Sequence, residues 1–494
     1  MELEEATLDQ LSARMASGEL TARALAEAYL ERIEAIDRNG PALRSVLEVN
    51  PDAREIADAL DRERTQGHVR GPLHGMPVMV KDNIDTADRM QTTAGSLALL
   101  GAKVERDAPV VAKLRAAGAV LLGKTNLSEW ANFRSSRSSS GWSGRGRQTR
   151  NPYVLDRSPG GSSSGSGVSV SANLCLAALG TETDGSIMSP SSNNGVVGIK
   201  PTVGLTSRQG VIPISHTQDT VGPHARTVAD AAAVLSAIAE SGIDYRDYLD
   251  AGGLRDARIG VARKFHTGYS EHTDRVFEQA VEVLKRCGAD VVDEVQIPGQ
   301  KAIRDNFEDT ELRAERIVME FEFKAGIEAY LDSRPFATVR CLADLIRFNE
   351  ERAQEEMPYF RQELWEAAEK RGSLTDALYQ RALEHNLQFA RGFEAFLKDQ
   401  RFDALIAPTN SPAWTIDLFD GDKFLGSSSS AAAVGGFPLV TVPAGLVSGL
   451  LPIGLTFMGP PRSEATLIKL AYAFEQAQPA RRAPRFVPTT LDLP

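Results

Sequence analysis

Lys81 stands at the end of a short apolar run, Val78-Met79-Val80, where a solvated charge would be badly placed. Two readings follow from that position. The lysine is either one half of a buried ion pair, with Asp82 or another acid, or an amine kept neutral by desolvation so that it can act as a base. Ser162 follows two glycines in Pro159-Gly160-Gly161-Ser162-Ser163-Ser164-Gly165, a stretch that permits unusual backbone geometry. Ser186 lies in Gly180-Thr181-Glu182-Thr183-Asp184-Gly185-Ser186-Ile187, a turn whose N–H groups could converge on a developing oxyanion. Each serine taken singly reads more simply as a turn residue bonded to its own backbone. Together the three side chains are the parts of a Lys-Ser-Ser proton relay, which spacing alone does not establish.

Two other patterns compete with that reading. Gly118-Ala119-Val120-Leu121-Leu122-Gly123-Lys124-Thr125 satisfies the P-loop pattern letter by letter. A phosphate cradle needs free N–H groups between its glycines, however, and Ala-Val-Leu-Leu is an apolar strand whose N–H groups belong to a sheet. Gly161-Ser162-Ser163-Ser164-Gly165 satisfies G-x-S-x-G, the nucleophile elbow, but the preceding Asp156-Arg157-Ser158-Pro159-Gly160 is turn chemistry rather than strand. The downstream histidines that a Ser-His-Asp hydrolase would need (His216, His224, His266, His272, His385) sit in no distinctive setting.

The elements that must position these groups are legible in outline. Thr7-Leu8-Asp9-Gln10 reads as a capping box opening a helix that Gly18 closes, and a second helix carries Leu25, Tyr29, Ile33 and Ile36 on one stripe. Val78–Val80 reads as a buried strand. Asp107–Gly118 reads as a helix with Pro109 near its start, and Ala119–Leu122 as the next strand, a succession that suggests an α/β layer fold. Residues 141–240 hold 14 of the 41 glycines and residues 301–400 only three. The glycine-rich window carries a serine-dense run from Ser135 to Ser171, interleaved with Val168, Val170, Leu174, Leu176 and Leu179. A flexible linker would not need those apolar residues, so the window reads as a packed, backbone-rich core. The glycine-poor window reads as a helical subdomain, after which strand-like runs return at Ala404–Ala407, Leu439–Val442 and Ile453–Met458. There is no internal repeat.

Composition removes several classes of function. The 494 residues are 42% hydrophobic and 24% charged, ordinary for a soluble globular protein. A net charge of −11 without a dense Lys/Arg run argues against nucleic acid as a partner. No stretch approaches the length of a membrane span, and the acidic start MELEEATLDQ lacks the apolar core of a signal peptide, which makes the cytoplasm the default location. Cys175, Cys287 and Cys341 are too scattered for a disulfide framework or a zinc site.

Longer segments resemble the amidase signature family of serine hydrolases. They are Gly71-Pro72-Leu73-His74-Gly75-Met76-Pro77 running into Val80-Lys81-Asp82, then Gly123-Lys124-Thr125-Asn126-Leu127-Ser128-Glu129, the Gly160–Gly167 loop and Gly180–Pro190. Gly195-Val196-Val197-Gly198-Ile199-Lys200-Pro201-Thr202, Asp403–Thr409 and Thr441–Gly445 continue the resemblance, which spans nearly the whole chain and is least characteristic over 265–400. It implies a single α/β domain: N-terminal helices over 1–70, a catalytic core over 71–260 and 401–480, and a mainly helical region over 265–400 on the substrate side. A large mixed central sheet would be covered by helices on both faces. It also implies that Lys81 is the base, Ser162 the bridging serine after a cis Gly161–Ser162 bond, and Ser186 the nucleophile. Backbone N–H groups of Thr183, Asp184, Gly185 and Ser186 would hold the oxyanion, with no metal, organic cofactor or obligate protein partner.

Two positions depart from the family pattern. Asp184 stands where the family commonly has the first glycine of Gly-Gly-Ser, and Met188 where it has arginine. With Gly141-Trp142-Ser143 and Gln148-Thr149-Arg150-Asn151-Pro152, these departures resemble the peptide amidase branch, whose members release ammonia from the C-terminal carboxamide of a peptide. A glutaminase subunit of a tRNA-dependent amidotransferase and a non-catalytic binding protein are the alternatives on the same scaffold. Phe133, Trp142, Trp414 and Phe437 are the candidates to line a substrate pocket, although core packing is the better reading of any one aromatic taken singly.

Overall fold

The computed structural model describes residues 4–491, so the first three residues of the acidic start lie outside the described residues. The strands are β1 (Val46–Val49), β2 (Pro77–Lys81), β3 (Val120–Thr125), β4 (Ala177–Glu182), β5 (Val197–Lys200) and β6 (Thr220–Ala225) in the first half. They continue as β7 (Arg258–Val261), β8 (Asp290–Val292), β9 (Ala404–Pro408), β10 (Leu439–Val447) and β11 (Leu451–Met458). All join one mixed sheet in the order β1-β3-β2-β4-β6-β5-β10-β11-β9-β7-β8. β2 is parallel to both of its neighbours, β3 and β4, whereas β6 is antiparallel to β4 and β5. Every residue of β2, β3, β4, β9 and β11 is buried. Successive strand residues point to opposite faces, so burial throughout means that both faces of the sheet are covered.

The local signals account for the elements they mark. Thr7 and Gln10 form a reciprocal capping box on the Leu8–Ala16 helix, and Gly18 follows its end at φ +76°. The second helix, Ala22–Arg32, buries Leu25 and Tyr29 and then widens into a π-helix over Ile33–Arg38. The helix before β3 spans Pro109–Ala116 with its proline in the first turn, and Gly118 ends it at φ +83°. β3 runs on past Leu122 to Thr125 because it is paired on both sides, with β1 and with β2.

The 265–400 region divides in two. The Glu271–Arg286 helix packs on β10, and β8 pairs with β7, so both belong to the sheet layer. The helices from Gln300–Arg304 to Ala377–Asp399 form the insertion proper. Phe323, Ile327 and Trp365 of that insertion pack with Leu127, Trp130 and Phe133 of the core. Arg334 adds a buried tie, with its Nη1 2.8 Å from Asp85 Oδ1, four residues beyond Lys81.

Candidate active site

Lys81 is the last residue of β2 and is fully buried. Its Nζ lies 2.8 Å from Ser162 Oγ, 3.0 Å from Ser163 Oγ and 2.8 Å from Thr181 Oγ1, with the Thr181 carbonyl at 3.4 Å. No carboxylate is among these partners. Asp82 points the other way, as the next residue on a strand must, and is held by Arg145 at 3.3 Å, by the Thr93 hydroxyl and by the Gly95 N–H. The ion pair between Lys81 and Asp82 is therefore not formed. Burial lowers the Lys81 amine from its usual range to about 7, against the opposing pull of the Asp219 and Glu182 carboxylates. Half neutral at that pH and increasingly so above it, the amine offers a lone pair to a hydroxyl proton.

The serine loop reaches this amine through close backbone packing. The Gly161–Ser162 peptide is cis, and Ser163 stands at the N-terminal end of the Ser164–Ser171 helix, every residue of which is buried. A Cβ on Gly165 would strike the Ser45 carbonyl and come within 2.6 Å of the Asn126 backbone. The helix start thus rests directly on main chain, which only glycine allows. Ser163 N–H donates to the Ser186 carbonyl at 3.0 Å, tying the loop to the turn after β4.

That turn presents unpaired amides. The N–H groups of Ile187 and Met188 donate to Glu182 Oε2 at 2.7 and 3.0 Å. Those of Thr183, Asp184, Gly185 and Ser186 have no acceptor among the described residues, and Gly185 takes φ +80° between them. Ser186 is 7% exposed, and its hydroxyl also lacks a hydrogen-bond partner among the described residues. A direct Ser162–Ser186 side-chain bond is not formed; the tie between the loop and the turn runs from the neighbouring Ser163 N–H to the Ser186 carbonyl. Asp184 and Gly185 line a cavity of about 350 Å³ together with Gly161, Met188, Arg313 and Trp414. The Asp184 carboxylate accepts from the Ser429 and Ser430 hydroxyls. Burial and the Asp184 charge push Glu315 up to about 8.

A scan against protein families matches the amidase model over residues 24–468. This chain belongs to the amidase family. The crystal structure of native peptide amidase from Stenotrophomonas maltophilia superposes with a TM-score of 0.91 at 50% identity, covering 98% of this chain and 99% of that one. A probable amidase from Arabidopsis thaliana is 42% identical over 98% of this chain and 92% of its own length. A glutamyl-tRNA(Gln) amidotransferase subunit from Chloroflexus aurantiacus is 34% identical over 96% of this chain and 97% of its own length.

Within this amidase the rival patterns resolve. The P-loop pattern falls on β3, and Lys124 is buried, donating to the Ile84 carbonyl at 2.6 Å and to Thr92 Oγ1 at 2.9 Å. No histidine bonds Ser162, Ser163 or Ser186 among the described residues. His224 nevertheless has a distinctive setting: it is fully buried on β6, with Nδ1 2.9 Å from Ser191 Oγ and Nε2 unpaired. Burial and the nearby Lys81 charge drive it down to about 3.

Of the four pocket candidates, Trp414 lines the cavity. The other three are core residues. Phe133 packs on Phe323, Trp142 on Tyr359 and Phe360, and Phe437 on Phe393. Core packing explains them because each ring is buried against aromatic rings of the helical insertion. Sequence reasoning missed Thr181, which accepts from both Lys81 and Asn83, and Asp219. Asp219 binds the Thr183 hydroxyl at 2.6 Å, and burial raises it to about 6. Among the described residues no cluster of three His, Cys, Asp or Glu is placed to hold a metal ion, and no helix is long and apolar enough to cross a membrane.

Proposed function

We propose that this amidase releases ammonia from the C-terminal carboxamide of peptides through a relay of Lys81, Ser162 and Ser186. The observation that carries the relay is the buried Lys81 amine, lowered to about 7 and 2.8 Å from Ser162 Oγ. Neutral Lys81 takes the Ser162 hydroxyl proton as Ser162 takes that of Ser186, whose oxygen then attacks the amide carbonyl. The relay requires the Ser186 side chain, unbonded among the described residues, to turn its hydroxyl to Ser162. The negative charge that develops on the carbonyl oxygen meets the unpaired N–H groups of the Thr183–Ser186 turn, which are already in place. The relay returns the proton to the departing nitrogen, ammonia leaves, and water attacks the acyl-serine by the same route.

Asp184 and Met188 and the likeness to a peptide amidase support peptide amides as the substrate class. The likeness to an amidotransferase component favours glutamine as the second reading. Ammonia release from a panel separates them: C-terminally amidated dipeptides, free amino-acid amides, aryl acetamides and glutamine. Turnover of the dipeptide amides by the isolated chain, with none of glutamine, is the expected result. Turnover of glutamine alone would replace this reading with the second. Failure of a serine-directed fluorophosphonate to label Ser186 would point to a non-catalytic scaffold.

A further inference from the structure

The cavity at the Thr183–Ser186 turn shares a rim with a larger one. Trp414 lines both. Along residues 422–425, Asp422 and Phe424 face the first cavity while Lys423 and Leu425 face the second, the alternation of an extended segment. The strip is a lip that a ligand can cross: Phe424 is 45% and Leu425 60% exposed. Asp422 anchors it from beneath, accepting from Ser140 N–H at 3.1 Å and from Trp414 Nε1 at 2.8 Å.

The second cavity has a volume of about 630 Å³, within the range of sites that hold drug-sized ligands. Arg157, His272 and Lys423 stand over an apolar floor that includes Leu450 and Leu451, and no carboxylate among the described residues lines it. The acids nearest the cations, Asp156 at 3.6 Å from Arg157 and Asp417 at 3.7 Å from Lys423, stand outside the lining. In a chain of net charge −11 the lining of this concavity holds Arg157 and Lys423 and, among the described residues, no carboxylate. Such a local excess of cations attracts anionic groups that the remaining surface repels.

We propose that the second cavity receives the acyl-side continuation of a peptide amide and favours a carboxylate side chain there. The proposal rests on the peptide-amide reading above. With about 350 Å³ lined by Asp184 and Gly185 of the turn, the first cavity takes only the amidated end of a peptide, and the upstream residues leave over Trp414 and Leu425. The apolar floor covers their backbone and side chains, while Lys423, His272 and Arg157 meet an acidic residue.

The test compares two acetylated tetrapeptide amides with identical last two residues and either two glutamates or two lysines upstream, alongside the dipeptide amide common to both. At low ionic strength the glutamate peptide is expected to have a kcat/KM about fivefold above the lysine peptide, the scale of half-exposed charge contacts, with the gap closing in salt. Lys423→Glu and His272→Glu change exposed side chains and should each shift the ratio toward lysine. Equal kcat/KM for the two tetrapeptides, or a ratio unmoved by both variants, overturns the proposal while hydrolysis of the dipeptide amide leaves the peptide reading standing. Absence of hydrolysis of every peptide amide overturns both.

Discussion

On the proposed relay, alanine at Ser186 removes the attacking oxygen, and turnover measured as ammonia release should vanish. Lys81→Ala leaves the nucleophile but takes away its proton acceptor, so kcat should fall by about 10²–10⁴-fold. Ser162→Ala should lie near it, because groups that act as one unit do not contribute additively. The pH dependence follows from the sign of the Lys81 shift. A lysine lowered to about 7 is protonated below that pH and cannot take a proton, so activity rises with pH through about 7 and levels above it. Asp219, raised to about 6 by burial, ionises just below and adds a negative charge that favours protonated Lys81. Asp219→Asn should therefore move the limb to lower pH, as read from the kcat/KM profile. Lys81, Ser162 and Ser186 were legible in the sequence as candidates, since each stands inside a short local pattern, and the roles proposed for them come from the resemblance to the family. Thr181 and Asp219 were not. Thr181 meets Lys81 across 100 residues of chain, and nothing in the composition around Asp219 marks it as buried.

Lys81 meets Ser162, with the Ser186 turn beside them, because three elements end at one place: β2 at Lys81, β4 just before the Ser186 turn, and the Ser164–Ser171 helix at Ser163. The helix has no room to shift. Gly165→Ala would push Cβ against the backbone of Ser45 and Asn126, a contact relieved only by moving the helix start. Overpacking of that kind costs about 1–3 kcal/mol. The variant should show a lower denaturation midpoint, together with a kcat loss larger than its effect on KM, since the displaced residues are Ser162 and Ser163. If activity fell without a change in stability, the close approach would not be what holds the loop. Sequence periodicity marked β2, β3, β9, β10 and β11, whose apolar runs are long or flanked by turns. It did not mark β1, β4, β5, β6, β7 or β8. Of these, β1, β7 and β8 are three or four residues long and partly exposed, while β4, β5 and β6 carry glycine, threonine or proline among their apolar residues, so that pairing in the sheet rather than local pattern defines them.

At the scale of the whole molecule, the helical insertion brings Arg313 to the wall of the first cavity and has to be seated on the sheet to do so. Arg334 is 2% exposed and bonds Asp85, the Ala102 carbonyl and the Tyr330 hydroxyl, joining the insertion to the segment just after Lys81. Burial already holds the Asp85 carboxyl above its usual range despite Arg334 and the Tyr330 hydroxyl. Arg334→Ala would leave that acid unpaired, and breaking a buried pair from one side costs about 3–5 kcal/mol. Adding Asp85→Asn to it should recover part of the loss in urea denaturation, since the uncompensated charge is then gone. Full additivity of the two losses would show that the pair does not couple. The mixed sheet and the helical region were foreseeable at this scale from the distribution of glycine and from the resemblance. The cavity walls were not, because Phe133, Trp142 and Phe437 look alike in sequence whether they face a substrate or another ring.

The relay is tested most directly by kcat/KM for ammonia release from an amidated dipeptide between pH 5 and pH 10, in the wild type and in Lys81→Ala. A limb near pH 7 in the wild type, and residual activity in the variant that has lost both its magnitude and that limb, is the predicted result. Near-normal activity in Lys81→Ala with the limb unchanged would contradict it.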